Sequence, residues 1–182
     1  MTFIERFPAL QSSLCIAATC LLVAFDPLPS AAQELNHGLL FDIEIEVGGA
    51  NTVGSTRLGD RGIYTITGGH FEGPTLKGKV LDGADWAIVR QDGTIDLDVR
   101  ATLQTDDGDI IYMHYDGFLT APPDVMAALG EGGAVTGDQY YMRTTPRFEV
   151  SKERLAWLNK SVFVGVGRIT ATGVGYRVYT IK

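Results

Sequence analysis

The chain has 182 residues, of which 45% are hydrophobic, and a formal net charge of −7. This length fits one domain. The acidic balance argues against nucleic acids and anionic membrane surfaces as partners, because both are bound through basic patches.

Residues 1–32 have the pattern of a cleaved secretory signal. The apolar run at 14–25 is too short to span a bilayer as a helix. Small residues at 30–32 follow it and form a site of the kind that signal peptidase accepts. We therefore predict a signal peptide over 1–32 and a single domain over 33–182. The mature protein is predicted to be periplasmic or secreted and not attached to a membrane.

Removal of this signal changes the chemistry that the chain offers. Both cysteines, Cys15 and Cys20, lie in the signal. The mature chain therefore has no disulfide, thiolate nucleophile or cysteine metal ligand. Glu5, Arg6 and Asp26 are also removed, which leaves 14 basic residues of 15, 20 acidic residues of 22, and a net charge of −6.

The mature chain has the pattern of strands separated by glycine turns. In residues 41–47 (FDIEIEV) apolar and acidic residues alternate strictly, as in a strand with one buried face. Eight further runs with strand character follow at 61–67, 76–81, 86–90, 94–104, 110–119, 140–149, 161–170 and 173–181. Turn signals at 92–93, 107–108 and 172–173 separate some of these runs at hairpin distances.

One segment has helical character, because residues 122–129 begin with two prolines and are followed by Gly130. About nine strands and one short helix imply an antiparallel sheet that closes or packs on itself to hide its edges. We predict an all-β fold with a closed or nearly closed antiparallel β-barrel, and a two-sheet sandwich is the alternative. A barrel of this size has room for one small ligand in its lumen.

Polar residues inside strands are therefore the candidates for ligand contact. Along 94–104, Asp96, Asp98 and Arg100 share one face and apolar residues share the other. If the apolar face packs on the core, the charged face is merely solvated. If the polar face points into the lumen, Arg100 becomes a fork that binds a carboxylate. Arg143 is a second candidate, and two lumenal arginines favour an anionic or phenolic ligand.

Aspartate and tryptophan stand together at a strand entrance, as Asp85 and Trp86. One interpretation is a turn aspartate before a core tryptophan. The other places Asp85 at the barrel mouth as a general acid or base and makes Trp86 a stacking wall. Trp157 and Asn159 offer a similar pairing of an aromatic wall with an amide donor.

The three histidines, His37, His70 and His114, do not have the spacing of metal ligands, and we predict no metal. His70 and Glu72 lie two residues apart, so on a strand they face the same way and are candidates for proton transfer. The chain has no serine nucleophile elbow and no phosphate-binding loop at a helix N-terminus. We predict no cofactor.

Five motifs occur in order along the chain: ITGGHFEGP (66–74), GADW (83–86), LDVRATLQTDDG (97–108), YYMRTTPRFE (140–149) and LAWLNKSVFVGVGR (155–168). Together they resemble the bacterial and fungal family called domain of unknown function 3237, over residues 39–181. The resemblance implies a small β-barrel, calycin-like or allene-oxide-cyclase-like, which often forms homo-oligomers. It implies little about activity, because function is poorly defined across the family.

These features favour a cofactor-independent lyase, decarboxylase or isomerase that acts on a small aromatic or phenolic acid. Asp85, His70 or Glu72 would move a proton, and Arg100 or Arg143 would bind the anionic group. The remaining predicted substrate contacts are Trp86, Trp157, Asn159, Tyr112 and Tyr141. The alternatives are a non-catalytic periplasmic binding or carrier protein and a structural barrel with a filled lumen.

Overall fold

The computed structural model describes residues 34–182. Its strands are β1 (His37–Thr56), β2 (Gly59–Glu72), β3 (Lys77–Asp85), β4 (Ile88–Val89), β5 (Ile95–Thr105), β6 (Ile110–Thr120), β7 (Tyr141–Glu149), β8 (Val162–Thr170) and β9 (Gly173–Ile181). Helix α1 (Pro123–Gly130) and a 3₁₀ helix (Glu153–Lys160) flank β7. The predicted signal peptide lies outside the described residues.

The nine strands form one antiparallel sheet that closes into a ring. The strand order is β1-β9-β8-β7-β6-β5-β3-β2-β4, and a further pairing of β1 with β2 completes the circuit. Closure removes the long edges that an open sheet would expose. The predicted barrel is thus confirmed, and the sandwich is not formed. No helix among residues 34–182 is long and apolar enough to cross a membrane.

The alternating sequence pattern determines which face of each strand points inward. In β1, Phe41, Ile43 and Ile45 are each only 1% exposed, whereas the acidic residues between them point outward. In β5, Val99 and Leu103 are buried in the same way. Complete burial of one such side chain contributes about 1.5–3 kcal/mol. The apolar face of residues 94–104 therefore packs on the core and the charged face is solvated.

One half of the barrel interior is filled by phenylalanine rings. Phe41 lies with its ring centroid 5.2 Å from that of Phe71 and 5.8 Å from that of Phe148. The Phe148 ring in turn makes an edge contact with Phe163 at 4.9 Å. Aromatic pairs at these separations stabilise the core beyond the area that they bury. None of these four rings lines the cavity described below.

Two local features differ from the expectation. Strand β2 extends to Glu72, beyond the predicted run at 61–67. The segment Glu153–Lys160 forms a 3₁₀ helix, although only one helical segment was predicted. This helix buries Leu155 and Leu158, three residues apart, which is one 3₁₀ turn and is not the spacing pattern of a longer α-helix.

Candidate active site

The open half of the barrel contains a cavity of about 170 Å³. Most of its wall is apolar and comes from Ile45, Val47, Ile66, Ala87, Val89, Ile95, Leu97, Val99, Leu119, Met142, Ile169 and Val174. Its polar groups come from Asp60, Tyr64, Asp85, Tyr115 and Tyr176. Every ionisable acid or base in this wall is therefore a carboxyl or a phenol. A mainly apolar cavity with a few convergent polar groups is the usual form of a small-molecule site.

Asp85 enters this cavity because β3 contains a bulge. The pairing of β3 with β5 shifts between Val80 and Asp82, so that one extra residue lies on the β3 side. Before the bulge Val80 points inward; after it Asp82 points outward and Asp85 points inward. Without the extra residue, the period of two would place Asp85 on the outer face.

Gly83 allows the two strands to approach closely at this bulge. A Cβ atom at position 83 would collide with the carbonyl oxygen of Arg100 and lie 2.8 Å from the Cα atom of Ala101. Gly83 pairs with Ala101, two residues before Asp85 pairs with Val99. Glycine is therefore required for the register that turns Asp85 inward.

The Asp85 carboxyl is poised between its two protonation states. Burial raises its pKa from 3.8 to about 6, and the negative charge of Asp98 adds to this rise. The backbone N–H of Asp98 donates a hydrogen bond to Asp85 Oδ1 over 3.1 Å and partly offsets the effect. A carboxyl with a pKa near 6 accepts and returns protons efficiently near neutral pH.

Two buried tyrosines stand in the same cavity. The Tyr115 hydroxyl donates to the Tyr176 hydroxyl over 3.3 Å, and the rings meet edge to face at 5.2 Å. Burial raises the pKa of both phenols well above the usual value, and the negative charge of Asp85 adds to the effect on each. Both phenols are therefore protonated at neutral pH. Because one O–H is sufficient for the bond between the two hydroxyls, the pair keeps one phenol proton for a ligand oxygen.

Sequence reasoning missed Tyr115 and Tyr176. Each lies on the apolar face of its strand, where the pattern indicates core residues. A tyrosine on a buried face still requires a partner for its hydroxyl. Two such tyrosines on inward faces were the signal that could have identified the pair.

The prediction of two lumenal arginines is wrong. Arg100 lies on the outer face of β5, donates to Asp98 Oδ1 at 2.8 Å and stacks over Trp86 at 5.0 Å. Arg143 lies on the outer face of β7 and stacks over Tyr141 at 4.9 Å. Both strands bury their apolar side chains, and this leaves the arginines outside.

The other predicted contacts also lie outside the cavity wall. His70 and Glu72 do face the same way, but they point outward from β2 on either side of buried Phe71. Tyr112 lies on the outer face of β6. Of the ten predicted site residues, Asp85 alone lines the cavity.

The last two predicted contacts, Trp157 and Asn159, lie on the 3₁₀ helix. Trp157 is 40% exposed and packs its ring 6.3 Å from Phe163. Asn159 donates through Nδ2 to the carbonyl of Val150 at 3.0 Å and accepts from its N–H at 2.9 Å. The amide thus anchors the end of β7 and does not line the cavity.

The outer face has one cluster of metal-ligand type among the described residues. One donor atom each from Asp98, His114 and Asp116 lies within 4.8 Å of the others. The Arg100 guanidinium already neutralises Asp98, at 2.8 Å, and would repel a cation there. We assign no metal to this cluster.

Comparison with known proteins identifies the family. The model of a family described as protein of unknown function (DUF3237) matches residues 36–181. The chain belongs to this family. A UPF0311 protein of Bradyrhizobium diazoefficiens is 36% identical over 131 residues, which cover 71% of this chain and 86% of that protein.

Solved structures share the barrel of this DUF3237 chain. A β-barrel-like protein of Acinetobacter baumannii superposes with a TM-score of 0.71 and 34% identity, covering 87% of this chain and 99% of the other. A structure described as an enzyme from Penicillium herquei has a TM-score of 0.65 and 23% identity, covering 85% and 100%. The similarity to the Penicillium herquei structure shows that the two proteins share a fold.

We predict that Gly83→Ala destabilises the protein because the new methyl group collides with the β5 backbone. The free energy of unfolding, measured by urea denaturation, should fall by about 1–3 kcal/mol. Gly49→Ala is the control, since its Cβ would meet no atom within 4 Å. Equal losses in both variants would show that the close approach at Gly83 is unimportant.

We also predict that Asp85→Asn stabilises the protein at neutral pH. The folded state holds the Asp85 proton more tightly than the unfolded chain, so wild-type stability falls as pH rises from about 4 to 6. Relative to wild type, the variant should gain nothing below pH 4 and at most about 3 kcal/mol above pH 6. Urea denaturation across this range measures the difference. A variant that is less stable at pH 7 would contradict the assignment.

Proposed function

We propose that the protein is an exported, cofactor-independent isomerase or lyase that transfers a proton on a small aromatic or phenolic compound in the barrel lumen. The proposal rests chiefly on the pairing of Asp85, whose pKa is near 6, with the protonated Tyr115–Tyr176 pair in one apolar cavity. Positioned acid–base groups and preorganised donors are sufficient for such chemistry. The composition of residues 1–32 supports a periplasmic or secreted location.

The size of the cavity supports a substrate with a single ring. Its volume of about 170 Å³ is close to the roughly 150 Å³ of a protein cavity that binds benzene. Apolar contacts with Val99, Met142 and Leu119 suit the faces of such a ring.

The charges of the wall favour a substrate whose buried end is neutral. Asp60 and Asp85 supply the carboxyls, and a substrate carboxylate beside them would be repelled. We therefore favour a carbonyl or phenol oxygen at the tyrosine pair. We therefore no longer propose that the substrate in the lumen carries a carboxylate.

The geometry supports a simple sequence of proton transfers. The Asp85 carboxylate removes a proton from the carbon next to a carbonyl, and the electron pair of that C–H bond moves to the carbonyl oxygen. Tyr176 donates its free hydrogen bond to the resulting enolate oxygen. Protonated Asp85 then returns the proton to another carbon of the substrate, which completes an isomerisation.

The same enolate also supports elimination. Collapse of the enolate expels a leaving group from the neighbouring carbon, and Asp85 gives that group its proton, so that atoms and charges balance. The fold itself is compatible with catalysis, since one structure with this barrel is described as an enzyme.

A panel of neutral cyclic ketones and phenols, analysed by mass spectrometry and NMR after incubation in D₂O, tests the proposal. Wild-type protein should exchange or convert at least one compound, with kcat/KM falling as pH drops through about 6 because the base becomes protonated. Asp85→Asn should lower kcat by about 10²–10⁴-fold. Tyr176→Phe should lower it by about 10²–10³-fold.

Matched controls remove the same groups from the outer face of the same strands or sheet. Asp82→Asn and Tyr112→Phe should change kcat by less than about threefold, because both side chains point away from the cavity. Saturable binding of panel members without exchange or conversion would overturn the enzymatic proposal and favour a carrier. Unchanged activity in Asp85→Asn would remove Asp85 from the mechanism.

A further inference from the structure

We infer that the outer face of the barrel carries a second, separate site that binds a small aromatic carboxylate. A groove of about 690 Å³ runs over β4 to β7 on the side of the sheet opposite the lumen. Three arginines, Arg61, Arg90 and Arg143, and three aromatic residues, Trp86, Phe118 and Tyr141, line it. The inference does not depend on catalysis in the lumen.

Two of these arginines, Arg61 and Arg143, are held in place by hydrogen bonds but have no acidic partner. Arg61 donates through one nitrogen to the carbonyl of Trp86 at 2.6 Å. Arg143 donates to the carbonyl of Met142 at 2.8 Å and rests on the Tyr141 ring. Within residues 34–182 neither guanidinium forms a salt bridge. Each guanidinium therefore keeps N–H donors for an anion, in a preorganised position.

Unpaired arginines in a groove are unexpected in a chain with 22 acidic and 15 basic residues. Two of the three acidic residues of this groove already have arginine partners. Asp96 pairs with Arg90 at 2.6 Å, and Asp98 pairs with Arg100 at 2.8 Å. Asp116 is 70% exposed at its side chain, and its carboxylate lies 3.8 Å from His114 Nε2. The two arginines without a salt bridge therefore outnumber the one carboxylate that lacks an arginine partner, that of Asp116.

The aromatic residues provide walls for a planar ligand. Phe118 and Tyr141 remain 47% and 51% exposed, so the core does not account for their positions. Phe118 pairs in register with Arg143, and this places a ring and a free guanidinium side by side. An aromatic carboxylate fits this groove, because its ring can pack on the exposed aromatic side chains while its carboxylate binds a free guanidinium. A monoanion suits the groove better than a phosphate dianion, because three carboxylates also line it.

This groove brings together residues that the sequence indicated for a lumenal ligand. Trp86, Tyr141 and Arg143 line it directly, and Arg100 stacks on Trp86 from beside it. The expected combination of arginine and aromatic rings does form, but on the outer face of the barrel.

Tryptophan fluorescence provides a direct test with 4-hydroxybenzoate as the probe. The chain has two tryptophans, so Trp157→Phe leaves Trp86 in the groove as the sole reporter. We expect saturable quenching by 4-hydroxybenzoate that weakens with added salt. Quenching by neutral 4-hydroxybenzyl alcohol should be at least tenfold weaker. In wild-type protein, the indole N–H resonance of Trp86 reports the same binding if the variant folds poorly.

Variants on one strand separate specific binding from general attraction. Arg143→Gln should raise Kd by about tenfold to a hundredfold, as expected for lost charge-assisted hydrogen bonds. Arg147→Gln removes the same charge from the same outer face of β7 outside the groove and should change Kd less than twofold. Asp85→Asn changes a side chain that lines the lumen and not the groove, and it should change Kd less than twofold.

The inference is overturned if the probe neither quenches Trp86 nor shifts its indole resonance. It is equally overturned if Arg147→Gln weakens binding as much as Arg143→Gln. Loss of binding in Asp85→Asn would assign the probe to the lumen and would also contradict the separate groove site. None of these results depends on whether the lumen is catalytic.

Discussion

A single extra residue in β3 determines the chemistry of this barrel. The bulge between Val80 and Asp82 inverts the inside-outside alternation of the strand, and Gly83 lets the backbone of β5 come close enough to keep the pairing. Asp85 is thereby turned from the solvated face into an apolar cavity. Its raised pKa and its place beside two protonated phenols both follow from this change of face. A regular strand would have left the lumen without a half-buried carboxyl.

One part of the barrel interior is packed with side chains that stabilise the fold, and another part contains the cavity. Phenylalanine rings fill one half and hold the strands in register, while the other half remains open above Tyr115 and Tyr176. The carboxyl in the open half costs folding free energy at neutral pH, because the folded state disfavours its ionised form. Such a cost at one position is typical of sites that are built for function and not for stability.

The architecture was accessible from sequence because several strands carry a clear alternation of apolar and polar residues. The apolar residues of 41–47 and 94–104 all lie inside, and the unbroken run at 95–103 could have decided which face of β5 is buried. The orientation of Asp85 was not accessible, because the run VLDGAD has the same letters with or without a bulge. The chemistry of the two arginines suits a lumenal anion, but the burial of the apolar faces of β5 and β7 leaves Arg100 and Arg143 outside. Trp86 and Tyr141 do lie beside these arginines, but on the outer face of the sheet.

Titration of the Asp85 carboxyl by NMR tests the central claim most directly. The side-chain carbon of Asp85, assigned by comparison with Asp85→Asn, is followed from pH 3 to 9. The structure predicts a midpoint near 6, with a coincident shift in the ring resonances of Tyr115 and Tyr176. A midpoint near 4 without a tyrosine response would show that Asp85 is solvated, and would contradict a bulge that turns it into the lumen.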